Sequence, residues 1–186
     1  MDKFSLIETP LKDLFVIELK PIYDNRGFFE RLYCADEFKS ILKKPIKQIN
    51  HSLTKMKGSI RGMHYQLPPM AETKIIKCVK SSIFDVAIDV RKGSPTYLKW
   101  HAEVISENNS KMLLVPEGFA HGFQTLEDNI EIIYFTTQYY DKERERGIRY
   151  NDKLINIKWP LKPAEISEKD ENHLYLDNNW DGITVI

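Results

Sequence analysis

Phe84-Asp85-Val86-Ala87-Ile88-Asp89-Val90-Arg91 carries the clearest strand signal in the chain. Phe84, Val86, Ile88 and Val90 alternate with Asp85, Ala87, Asp89 and Arg91. A period of two puts alternate side chains on opposite faces of an extended chain, so the pattern predicts a half-buried strand. Working outward, further strands are expected over 14–19, 74–79, 99–105, 111–115 and 131–139. Turn signals separate them: Asp24-Asn25-Arg26-Gly27, Lys92-Gly93-Ser94-Pro95, Glu107-Asn108-Asn109 and Pro116-Glu117-Gly118. Many short strands at such spacing predict an antiparallel sandwich or barrel. Helical spacing is confined to two short places. Residues 36–42 carry Phe38, Ile41 and Leu42 on one side before Pro45, and Ser167-Glu168-Lys169-Asp170 has the form of a capping box. The expected fold is all-β with minor short helices.

The chain has 186 residues, without repeat or Gly/Ser linker, and is expected to form a single domain over 1–186. That length supports a hydrophobic core. Lys+Arg and Asp+Glu both number 27, so the basic excess of a nucleic-acid binder is missing. No apolar run approaches the ~18 residues of a membrane span, and the N-terminal MDKFSLIETPLKD lacks the pattern of a signal peptide. Cys34 and Cys78 share no metal-type spacing and are too few for a disulfide framework, which points to reduced thiols in a cytoplasmic protein.

Of the five histidines, His51, His101 and His173 stand in no constellation and are expected to be structural or exposed. His64 lies in Arg61-Gly62-Met63-His64-Tyr65-Gln66, and His121 in Pro116-Glu117-Gly118-Phe119-Ala120-His121. The latter resembles the P-x-G-x-x-H motif of cupins, small jelly-roll barrels. Metal-binding cupins add a second histidine where this chain has Gln66, and two remote histidines hold a metal poorly, so none is expected. Without metal, a histidine suits general-base work near neutral pH. It needs an orienting carboxylate, for which Asp170 is a candidate, an oxyanion partner such as Lys74, and an acid such as Tyr134. On a regular strand Tyr134 and Tyr140 share a face, at most about 20 Å apart, which suits an extended ligand; plain packing explains the pair as well. Asp170 equally reads as a helix cap, Lys74 as a solvated strand residue, and Arg26-Gly27 as a turn.

Taken in order, DNRGFF (24–29), QIN (48–50), RGMHYQLPP (61–69), DVAIDVRKGSPT (85–96), PEGFAHGF (116–123), the 134–140 stretch, NDKLINIKWP (151–160) and ISEKD (166–170) resemble the dTDP-4-dehydrorhamnose 3,5-epimerase family. The resemblance implies a cupin-like jelly-roll homodimer, free of metal and cofactor, acting on a nucleotide-linked 4-keto-6-deoxyhexose. It implies His64 as general base, Asp170 as its dyad partner, Tyr134 as general acid and Lys74 at the keto oxygen. It implies Arg61 on the pyrophosphate, Tyr140 stacked on the base, and Arg26, Gln48, Asn50, His121, Glu145 and Lys169 as substrate contacts.

Two departures stand out. The family's acidic residue after RGFF falls where this chain has Arg31, and Glu30 comes one position early, on the opposite strand face, so Glu30 is not carried over. Ser81-Ser82 replaces a turn that usually contains glycine. Alternatives on the same scaffold are a single-centre epimerase, a 3,4-ketoisomerase, a metal-dependent cupin oxygenase and a silent carbohydrate-binding cupin. The last is disfavoured because every acid–base position is filled.

Overall fold

A computed structural model describes residues 4–185; residues 1–3 and 186, the ends of the expected single domain, lie outside it. In chain order it contains β1 (Phe4–Glu8), β2 (Phe15–Leu19), β3 (Ile22–Asp24), β4 (Gly27–Phe29), α1 (Ala35–Phe38), β5 (Gln48–Thr54), β6 (Ile60–Gln66) and β7 (Lys74–Lys80). There follow β8 (Ser82–Asp89), β9 (Trp100–Ser106), β10 (Lys111–Val115), β11 (Phe119–Thr125), β12 (Ile130–Thr136), β13 (Glu145–Gly147) and α2 (Glu168–Glu171). The strands form a six-stranded sheet in the order β1-β2-β10-β7-β12-β5 and a five-stranded sheet in the order β13-β6-β11-β8-β9. Every ladder pairing is antiparallel, and β3 with β4 makes a separate hairpin. The all-β jelly-roll expectation holds. Among the described residues, no helix is long and apolar enough to cross a membrane.

The two sheets face each other across a core that includes Val16, Ile76, Leu113 and Ile132 from one and Ile83, Ala87, Phe119 and Phe123 from the other. Each sheet is also covered outside. Phe38 of α1 packs on Ile75, Met112 and Phe135 behind the larger sheet. Ile148, Ile155, Ile157 and Ile183 of the C-terminal segment pack on Val86 and Ile88 behind the smaller. This wrapping changes the reading of residues 84–91. β8 is buried on both faces, and its polar side, not its apolar side, faces the sandwich interior: Asp85 and Asp89 are both 0% exposed. The alternation marked a strand correctly but assigned its solvent face wrongly. Asp89 survives burial by accepting from Arg91, Ser94 and Thr96 in the following turn.

The serine turn adopts a left-handed conformation that favours glycine. Ser81 has a φ of 67°, and its N–H and hydroxyl are tied to Glu107 and Glu127 at 2.9 and 2.8 Å. Glu30 turns inward beside Lys77, 3.5 Å away, while Arg31 pairs with Glu37 at 3.0 Å. Neither reaches the cavity described next.

Candidate active site

Where the two sheets diverge from the apolar core, they enclose two adjoining cavities of about 480 and 390 Å³ that share His64, Lys74 and Tyr134. The inward-facing alternation of β5, β7 and β12 supplies Asn50, Lys74 and Tyr134 from one wall; β6 and β11 supply His64 and His121 from the other. Arg61 and His64 are three positions apart, and a regular strand would send them to opposite faces. The ladder between β6 and β11 breaks register here: His64 faces His121, but Arg61 faces Phe123. Gly62, with a φ of 131°, absorbs that extra residue, and both side chains line the first cavity.

A parallel bridge between Ile60 and Ile166 lays the segment before α2 against the start of β6. Ser167 caps α2 by accepting from the Asp170 N–H at 3.2 Å. The Asp170 carboxylate does not return the cap. It accepts from the Gly62 N–H at 3.2 Å and meets His64 Nε2 at 2.6 Å, joining residues 106 positions apart. Burial pushes the Asp170 carboxyl up, but the His64 hydrogen bond, with help from Gly62 and Ser167, outweighs it and holds the group below its ordinary value.

A second imidazole–carboxylate pair lies alongside. His121 Nε2 is 2.7 Å from Asp85 Oδ1, and burial drives Asp85 above the usual carboxylate range despite His121 and Lys74. Tyr134 is pushed up by burial and by the charge of Glu72, with Arg61 opposing. At the mouth, Glu145 Oε2 accepts from Lys169 at 2.6 Å and from the Tyr140 hydroxyl at 2.9 Å. Arg61 is steadied by the Thr54 hydroxyl at 2.9 Å.

The expected strand over 131–139 ends at Thr136. Gln48 accepts from the Tyr140 N–H at 2.7 Å and Gln66 from the Asp141 N–H at 2.6 Å, so the chain leaves the sheet to follow the cavity rim. The shared-face argument for Tyr134 and Tyr140 is therefore corrected, although both line the second cavity. Gln66, where a metal-binding cupin would carry histidine, fastens that rim.

Every residue expected at the site lines one of the two cavities except Arg26. Arg26 sits at the tip of the β3–β4 hairpin with its side chain 89% exposed, paired only to its neighbour Asp24. Three residues went unread. Asp85 was assigned to solvent by the alternation, and Glu72 lies in no motif. His173, expected to be structural or exposed, has its Nε2 3.5 Å from Asp170 Oδ1 and its ring edge-on to His64 at 5.7 Å. It follows α2 by two residues, and its contact with Asp170 arises from the turn that ends the helix, which no motif marks. The donor atoms of His64, Asp170 and His173 lie within 4.8 Å of one another. Asp170 already serves Gly62 and His64, and burial followed by the His64 charge lowers the His173 pKa.

The family model described as dTDP-4-dehydrorhamnose 3,5-epimerase matches residues 8–178. The chain is 43% identical over 170 residues to the dTDP-4-dehydrorhamnose 3,5-epimerase of Shigella flexneri, covering 90% of this chain and 93% of that one. Its backbone matches the Bacillus anthracis dTDP-4-dehydrorhamnose 3,5-epimerase crystallised with TDP and PPi, with a TM-score of 0.89 and 36% identity, over 93% of this chain and 99% of that one. The Legionella pneumophila dTDP-6-deoxy-D-glucose-3,5-epimerase, solved in complex with dTDP-4-keto-L-rhamnose, matches with a TM-score of 0.90 and 32% identity, over 98% of this chain and 100% of that one. Family model, sequence identity and backbone agree over most of the chain, and the chain belongs to the dTDP-4-dehydrorhamnose 3,5-epimerase family.

Proposed function

We propose that the protein inverts carbons 3 and 5 of a dTDP-linked 4-keto-6-deoxyhexose by acid–base chemistry at His64 and Tyr134, with no cofactor. The observation that carries the reading is the His64–Asp170 contact of 2.6 Å, set in a cavity that also holds Lys74 and Tyr134. The C4 ketone acidifies the hydrogens on its neighbouring carbons, because the carbanion left behind is an enolate. His64 spends Nε2 on Asp170, so Nδ1 is left to take the proton. The Lys74 ammonium stabilises the enolate oxygen. Tyr134, kept protonated by its surroundings, returns a proton to the opposite face and inverts the centre. His64 and Tyr134 stand on opposing sheets, in β6 and β12, which is the arrangement an inversion needs. Arg61 and Lys169 supply positive charge for the diphosphate, and Tyr140 an exposed ring for the base. Gln48, Asn50, His121 and Glu145 complete the substrate contacts.

The working unit in this reading is a homodimer in the cytoplasm. Tyr23, Phe28 and Phe29 on the hairpin are 71%, 62% and 60% exposed, an apolar surface that a second copy would cover. Arg26 on the same hairpin would then reach the partner's cavity instead of its own. Both cysteines are free, as a reducing compartment requires.

The test is incubation with dTDP-4-keto-6-deoxyglucose in deuterated water. The reading expects deuterium at both carbons and the doubly inverted sugar by proton NMR. Deuterium at one carbon alone would establish a single-centre epimerase, and migration of the ketone a ketoisomerase.

A further inference from the structure

Glu72 precedes β7 by two residues, in a segment that no recognisable motif covers. Its side chain is 10% exposed and lines the second cavity with His64, Lys74 and Tyr134. Oε1 lies 3.3 Å from Lys74 Nζ, and the same ammonium is 3.4 Å from the His64 carbonyl oxygen. A lysine ammonium has three N–H donors. The ion pair with Glu72 and the hydrogen bond to the His64 carbonyl hold the ammonium between them and leave donor capacity for a ligand. A flexible side chain with a strongly hydrated charge is thereby held at one point.

We propose that Glu72 is a positioning residue of the epimerase, its carboxylate anchoring the Lys74 ammonium where the enolate oxygen forms. The inference rests on the reaction proposed above. Preorganised charge stabilises a transition state because it need not reorient as the oxyanion develops, and an untethered lysine lacks that advantage.

The charge has a second consequence at Tyr134. The titratable groups around Glu72 are Lys74 from β7, Tyr134 from β12, His64 and Tyr65 from β6, His121 from β11 with Asp85 of β8 behind it, Glu145 from β13, and Tyr140 from the rim segment before it. Burial raises the Glu72 carboxyl, Lys74 and His121 pull it back, and Glu145 adds to the rise. The Glu72 charge in turn opposes ionisation of the Tyr134 phenol, on top of the effect of burial. Removing that charge makes the phenolate easier to form, so the alkaline limb of the rate profile, where the acid is lost, moves to lower pH.

The experiment compares kcat, KM and solvent deuterium exchange against pH for wild type, Glu72→Gln and Glu72→Asp, with thermal melts to confirm folding. Glu72→Gln keeps the shape and loses the charge. It is expected to lower kcat by about tenfold, the scale of losing one partly buried charged contact. KM should stay nearly unchanged, and the alkaline limb should move to lower pH. Glu72→Asp, which keeps the charge, should leave that limb in place. Glu72→Ser serves for the charge loss if Glu72→Gln does not fold. Wild-type kcat and limb in the uncharged variant would overturn the proposal, and so would a loss of kcat with the limb unmoved, the signature of a purely structural residue. A wild type that exchanges no deuterium would instead overturn the reaction itself.

Discussion

Replacing Gly62 by alanine is expected to damage both the fold and the site, by an amount the geometry sets. Gly62 has a φ of 131°, where a side chain is strained, and an added Cβ would lie 2.5 Å from Gly122 Cα and 2.9 Å from the His121 carbonyl oxygen. The backbone strain costs about 1–3 kcal/mol. The overlap falls on neighbouring backbone that cannot swing aside, and such overpacking costs about 1–3 kcal/mol more. A total of roughly 2–6 kcal/mol corresponds, at about 2–4 °C per kcal/mol for this chain length, to a melting temperature lowered by roughly 4–24 °C. Gly93 is the control. Its φ of 74° is also left-handed, but an added Cβ there meets nothing within 4 Å. Gly93→Ala should therefore cost only about 1 kcal/mol and 2–4 °C. Circular-dichroism melts read the stabilities, and turnover of the surviving Gly62→Ala protein reads the site. Because the Gly62 irregularity turns Arg61 and His64 to one face, turnover should fall further than the folded fraction does. Equal melting temperatures for the two variants, or full turnover in Gly62→Ala, would refute the reasoning.

Other outcomes follow from the same geometry. Asp170→Asn should lower turnover roughly 10- to 100-fold with KM little changed, the loss expected when a charged partner of the base goes. The folded Asp170 carboxyl titrates below its unfolded value, so its contribution to stability is present above about pH 4 and is lost as pH falls through the folded value. Acid titration of the Asn variant should lack that component, and an identical acid transition in both proteins would count against it. Exhaustive chelation should leave wild-type turnover intact, because Gln66 stands where a metal-binding cupin carries histidine and His64 Nε2 is committed to Asp170; stoichiometric metal whose removal and return switch activity off and on would contradict this. Sedimentation should show a species of about 44 kDa, twice the 21.9 kDa chain, and Arg26→Ala should reduce activity despite the distance of Arg26 from its own cavity. A fully active monomer would rule this out.

Strand existence was legible in the sequence because a period of two is a local property. The residues 111–115 came out as β10 to the residue, and 74–79 within one position of β7. What the alternation does not carry is which side faces in. Asp85 and Asp89 point inward because His121 at the cavity and the 91–96 turn supply their partners, and because the C-terminal segment covers the apolar side of β8. That cover is tertiary, and no periodicity announces it. The motifs located His64, Tyr134, Lys74 and Asp170, and the fold gathers them around adjoining cavities. The face shared by Arg61 and His64 was not legible, since it depends on the irregularity at Gly62. Nor was the exposure of Arg26, which follows from its place at the tip of an exposed hairpin that joins neither sheet. Glu72 escaped because its meaning lies in a contact with Lys74, not in a pattern of its neighbours.

The most direct test of the His64 and Tyr134 assignment separates proton removal from proton return. Wild type, His64→Asn and Tyr134→Phe are incubated with dTDP-4-keto-6-deoxyglucose in deuterated water, with deuterium read by mass spectrometry and configuration by proton NMR. His64→Asn should abolish exchange and inversion together, because no enolate forms. Tyr134→Phe should retain part of the exchange, as His64 returns deuterium to the face it took the proton from, while inversion falls by ~100-fold or more. Wild-type exchange in His64→Asn, or normal inversion in Tyr134→Phe, would contradict the assignment.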